Sequence, residues 1–123
     1  MNYDCWTYYL TIYYALDAAY AAHPSESLNE YLSEANPDLW EGKGSADPAV
    51  WHGFERAFRD SFRADAANLE DALPFVRHYV AEQGGRYSEL YEDQCDFLGM
   101  FDNKVPAEKW EEACERVAAF LQR

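Results

Sequence analysis

The stretch YDCWTYYLTIYYALDAAYAA, from Tyr3 to Ala22, limits the possible folds of this chain more than any other, because it is apolar or aromatic on nearly every side. Trp6, Tyr9, Tyr13, Leu16 and Tyr20 recur at helical spacing, and Cys5, Tyr8, Ile12, Ala15 and Ala19 make a second stripe beside them. Only Asp4, Thr7, Thr11 and Asp17 leave a thin polar line. A helix of this kind must be covered over most of its circumference by other helices or by a partner chain, so a central position is predicted for it. Tyr, Thr and Ile also form strands readily. The alanines from Ala15 to Ala22, the lack of Gly or Pro, and a stop at His23-Pro24 decide for a helix of about 30 Å.

Two other readings of the same stretch fail. Ala19-Tyr20-Ala21 imitates the end of a secretory signal, but no Lys or Arg precedes Lys43, Asp4 stands where a positive region belongs, and Asp17 interrupts the apolar run. As a membrane span the stretch is barely long enough, and the hydroxyls of Tyr8, Tyr9, Tyr13, Tyr14 and Tyr20 would need partners in lipid. The expectation is a folded cytoplasmic domain with no membrane partner.

A chain of 123 residues is one domain, long enough to bury a core without staples. With 49% hydrophobic and 17% aromatic residues it should fold despite a formal net charge of -13. Its 23 acidic residues against 10 basic ones disfavour direct binding to nucleic acid or anionic membrane and favour a basic partner, or serve solubility alone. Cys5, Cys95 and Cys114 are odd in number and embedded in apolar patterns, as reduced thiols are. They offer no CxxC pair, and no metal site is expected.

The rest of the chain reads as further helices. Ser25 or Ser27 caps a second one, with Glu30 in the capping-box position after Ser27 and Asn36-Pro37 at its end. Residues 37–47 form a loop pinned by Leu39-Trp40. Asp47-Pro48 starts a third helix with Trp51, Phe54, Phe58 and Phe62 inward. Pro74 predicts a break near Asn68 to Asp71, with Asp71 capping a helix that ends at Gly84-Gly85. Tyr87 to Phe101 reads as one amphipathic helix with Leu90, Tyr91, Gln94, Phe97 and Leu98 on its apolar side, followed by a turn at Phe101-Asp102-Asn103. Pro106 opens a last helix with Trp110, Ala113, Cys114, Val117 and Leu121 inward. The fold class is therefore all-α: a single-domain bundle of five or six helices over residues 1–123 around the N-terminal helix.

Two sets of carboxylates stand out, Glu89, Glu92, Asp93 and Asp96, and Glu108, Glu111, Glu112 and Glu115. Like charges at these spacings weaken a helix slightly, which a basic partner would offset. His52, Arg56, Arg59 and Arg63 make the only basic stripe, suited either to an anion or to internal ion pairs. Gly42-Lys43-Gly44-Ser45 precedes a helix as a phosphate loop does, but lacks the Walker spacing and is followed by Asp47 at the helix N-terminus. No nucleophile is paired with a base, so no catalytic residue and no cofactor are expected. The favoured reading is a non-enzymatic protein-binding module, an inhibitor, immunity or decoy protein whose acidic helix faces meet a basic partner. Two alternatives stay open. One is a small-anion or ligand binder at the arginine stripe. The other is a structural homodimer joined through the surplus aromatic face of the first helix.

Overall fold

The computed structural model describes residues 1–39 and 41–122 and is all-α, with a two-stranded ribbon at one corner. The helices are α1 (Cys5–Ala22), α2 (Glu26–Ala35), α3 (Pro48–Phe62), α4 (Leu69–Tyr91), α5 (Phe97–Lys104) and α6 (Trp110–Leu121). The strands are β1 (Asn2–Asp4) and β2 (Ala66–Asn68). As its all-round apolar surface requires, α1 is central and packs against each of the other five helices. Tyr8, Tyr9, Ile12 and Leu16 are buried on α1, with Leu28 and Tyr31 of α2, Phe54 and Phe58 of α3, Val76 and Val80 of α4, and Phe97 and Phe101 of α5 around them. No helix among the described residues is long and apolar enough to cross a membrane.

The core is aromatic, and its geometry is mostly edge-to-face. Trp6 meets Trp51 at 4.8 Å and 81°, and Phe54 meets Tyr79 at 4.9 Å and 76°, arrangements that place ring edges against π faces. Phenolic hydroxyls are tolerable in this core where hydrogen bonds satisfy them. Tyr9 donates to the Ala35 carbonyl at the C-terminus of α2 (2.7 Å), where helical carbonyls lack intrahelical partners. Tyr8 donates to the Ala67 carbonyl in β2 (2.6 Å), and Tyr31 and Tyr79 share a bond of 3.2 Å. The aromatic face of α1 that would join a homodimer is thus largely covered within the chain.

Several element boundaries differ from the sequence expectation, each for a local reason. Residues 2–4 are a strand because Asp4 caps α1, accepting from the Thr7 amide (2.8 Å) and hydroxyl (2.6 Å), so the backbone before it is extended. That segment pairs antiparallel with β2 in the register Asn2↔Asn68, Tyr3↔Ala67 and Asp4↔Ala66, where only a helix break was expected. The cap of α4 is Asn68, not Asp71, so Pro74 lies inside the helix on an exposed position and costs one backbone bond, to Glu70. Nor does α4 stop at Gly84-Gly85; it continues to Tyr91 because Gly84 is a contact point against Phe97.

The single helix expected over Tyr87 to Phe101 is two. α4 closes at Glu92, in the left-handed region (φ 54), and α5 begins after the Asp96 cap, so Phe101-Asp102-Asn103 is helical and Leu90 is exposed. The cap of α2 is Ser25, accepting from the Leu28 amide (3.2 Å), while Ser27 is used elsewhere. Pro106 opens a 3-10 turn, Ala107–Lys109, rather than α6 itself, and Leu121 is exposed. Trp40 lies outside the described residues. Among the described residues the loop is held by buried Ser45, whose hydroxyl accepts from the Trp51 amide (2.9 Å) and donates to the Asp47 carbonyl.

Candidate functional site

The first acidic set does not form one helix face. Glu89 is exposed on the last turn of α4 and Glu92 is its left-handed cap, but Asp93 and Asp96 are structural. Asp96 caps α5 by accepting from the Gly99 amide (3.0 Å). Asp93 reaches across to the first turn of α2, accepting from the Ser27 amide (2.9 Å) and hydroxyl (2.7 Å), and it also accepts from the Cys95 amide (3.2 Å). A carboxylate there meets the positive end of α2. Burial works against its charged form, but the bonds from Ser27, Cys95 and Ser88 together hold it below the usual carboxylate range.

Beside this corner lies an acidic group that the sequence reading did not single out. Glu26, Glu30 and Glu34 follow one another at i, i+4 and i+8 on α2, a spacing that was available as a signal but whose place next to the end of α4 was not. Glu34 accepts from the Tyr87 hydroxyl (2.7 Å). Half-buried Tyr91 sits among the three, its hydroxyl raised above the ordinary range first by desolvation and then by Glu30, Glu34 and Glu26. Arg86 lies over the Tyr87 ring at 6.0 Å without an ion pair among the described residues.

The second acidic set is divided around α6. Glu108 is exposed on the 3-10 turn, while Glu111 and Glu115 face β1, where their field adds to burial in raising the Tyr3 hydroxyl. Glu112 is on another side, paired with Lys109 (3.7 Å) and Arg116 (2.7 Å). That side opens into a groove of about 670 Å³ between α1, the end of α5 and α6, lined by Thr11, Tyr14, Ala15, Ala18, Lys104, Val105, Lys109, Glu112, Ala113, Arg116, Val117 and Phe120. Sequence gave no sign of it, because a groove depends on how far two helices diverge.

Two members of the basic stripe on α3 lie against acidic neighbours. Arg59 pairs with Glu55 (3.3 Å) and with Asp65 (2.6 Å), and His52 lies 3.8 Å from Glu55. Arg63 is the left-handed cap of α3, and neither it nor Arg56 has an ion pair among the described residues. The shallow cavity here, about 290 Å³, is lined by Glu55 and Asp60 as well as by His52, Arg56 and Arg59, so an anion would meet two carboxylates. At the glycine loop, Asp47 itself accepts from the Ala49 amide (3.0 Å) at the start of α3.

Cys5, Cys95 and Cys114 are free thiols. Burial pushes Cys5 and Cys114 up to about 12, which keeps both protonated and unreactive near neutral pH. No three of the described His, Cys, Asp and Glu side chains gather closely enough to hold a metal ion. Fold and surface together define a small all-α protein with spatially separated acidic and basic regions. Compared with protein-family models, with curated proteins and with solved structures, the chain matches none.

Proposed function

We propose that this protein is a non-enzymatic binding module that meets a basic protein partner through the acidic surface of α2 and the C-terminal turn of α4. The observation that carries the reading is the segregation of charge. The ion pairs among the described residues lie on α3 and beside it, along α4 at His78, between α4 and α5 at Arg77–Asp102, and on α6, while Glu26, Glu30, Glu34, Glu89 and Glu92 take part in none. An uncompensated acidic patch steers a basic partner and excludes an acidic one. Tyr91 supplies an aromatic anchor within it, of the kind that dominates binding energy in interface centres. Free thiols support a reducing, cytoplasmic setting for the module.

The test leaves Glu34, which accepts from the Tyr87 hydroxyl, unchanged. In the variant Glu26→Lys, Glu30→Lys, Glu89→Lys, Glu92→Lys, a basic protein retained by the tagged wild type at low salt, and released as salt rises, should no longer be held, with the melting temperature preserved. Equal retention by the variant, or no basic protein held by the wild type at any salt, refutes the reading.

A further inference from the structure

The groove between α1 and α6 has the build of a site for a ligand with an acidic head and an apolar tail. The two helices start in contact and in the same direction, with Tyr8 stacked on Trp110 at 5.8 Å and the Thr11 hydroxyl 3.8 Å from the Cys114 sulfur. Beyond that point α1 contributes the small side chains of Ala15 and Ala18 and α6 contributes Val117 and Phe120, and the small residues on the α1 side leave space between the helices. The floor is apolar, and at its far end Phe120 is 57% exposed, a large aromatic surface left to water.

The rim has the opposite sign to the rest of the molecule. Lys104, Lys109 and Arg116 face one anion, Glu112, in a chain whose formal charge is -13. Glu112 pairs with Lys109 and Arg116, and Lys104 has no ion pair among the described residues. Lys104 and Lys109 flank the corner between α5 and α6, and Phe120 lies eleven residues beyond Lys109, about 16 Å along a helix. Lys104 and Lys109 stand toward one end and the bare ring of Phe120 toward the other, with Arg116, one turn before Phe120, neutralised by Glu112. The volume is that of a pocket for one small organic molecule.

We infer that this groove binds a soluble single-chain carboxylate amphiphile of the fatty-acid type, its head at Lys104 and its tail along Ala18, Val117 and Phe120. This inference is independent of the acidic surface of α2 and α4, and the charge-reversed variant described above should bind such a ligand as the wild type does.

Isothermal titration calorimetry with dodecanoate, kept below its micelle-forming concentration, tests it. One dodecanoate per chain is expected, bound at least tenfold more tightly than dodecyltrimethylammonium, which has the same tail and the opposite head, and than butanoate, which has the head alone. Lys104→Glu should weaken dodecanoate at least tenfold, and Ala18→Trp should block it, both with wild-type melting curves. If Ala18→Trp melts early, Lys109→Glu replaces it and should weaken binding likewise. Equal affinity for the cationic amphiphile, wild-type binding by the variants, or no saturable binding overturns the inference. So does a dimer in sedimentation equilibrium that Phe120→Glu dissociates, which would assign the groove to a second copy.

Discussion

Asp93 shows how much one side chain can mean beyond its place in a pattern. In the sequence it is one of four like charges at helical spacing; in the fold it ties the corner between α4 and α5 to the first turn of α2. Replacing it with alanine strands a buried Ser27 hydroxyl and an amide, so Asp93→Ala should cost about 1–3 kcal/mol in urea unfolding at pH 7. The pH dependence has a definite sign. The carboxyl titrates below its ordinary range in the folded protein, so its contribution is complete above the unfolded pKa and is lost as pH falls through the folded one. The gap between wild type and Asp93→Ala should therefore narrow below about pH 4, and a gap that stays constant to pH 2 would argue against this role. The buried tyrosines of α1 make a related point: their helical stripes were plain in sequence, but nothing local names Ala35 or Ala67 as the acceptors of Tyr9 and Tyr8.

At the scale of elements, α4 and α5 depart most from expectation, and one glycine explains part of it. Adjacent glycines read as a stop because glycine weakens helix interiors, yet a Cβ at Gly84 would come 2.9 Å from the Phe97 Cβ, while at Gly85 it would meet nothing within 4 Å. Gly84 is therefore needed for the approach of α5, and Gly85 only lowers helix propensity. Gly85→Ala should stabilise the protein by about 0.4–1 kcal/mol, and Gly84→Ala should destabilise it by about 1–3 kcal/mol in spite of the same gain in propensity. Parallel denaturant titrations check the pair; shifts of the same sign at both positions would remove the packing explanation. The ribbon of β1 and β2 was illegible for a different reason. Ala66-Ala67 is helix-forming sequence, and only its meeting with residues 2–4 supplies the partner strand.

For the molecule as a whole, charge is the governing property. A formal charge of -13, with the acidic surface of α2 and α4 outside every described ion pair, means that folding works against self-repulsion. Raising sodium chloride from about 10 to 150 mM shortens the Debye length from about 30 to 8 Å, and the melting temperature should rise with it. A fall on scanning calorimetry would mean that the ion pairs of α3 and α6 outweigh the repulsion. What the sequence determined by itself was whatever depends on neighbours along the chain: the helical class, the central place of α1, the start of α3 at Asp47-Pro48 and the inward faces of α3 and α6 around Trp51, Phe54, Phe58, Trp110 and Cys114. These follow from periodicity and capping, which act within a few residues. The tertiary structure alone decided which acids are structural and which are exposed, how far α4 runs, where β1 finds β2, and that α1 and α6 part to leave a groove with a basic rim. Each of these depends on distances between residues far apart in the chain, and those distances are fixed only when the core closes.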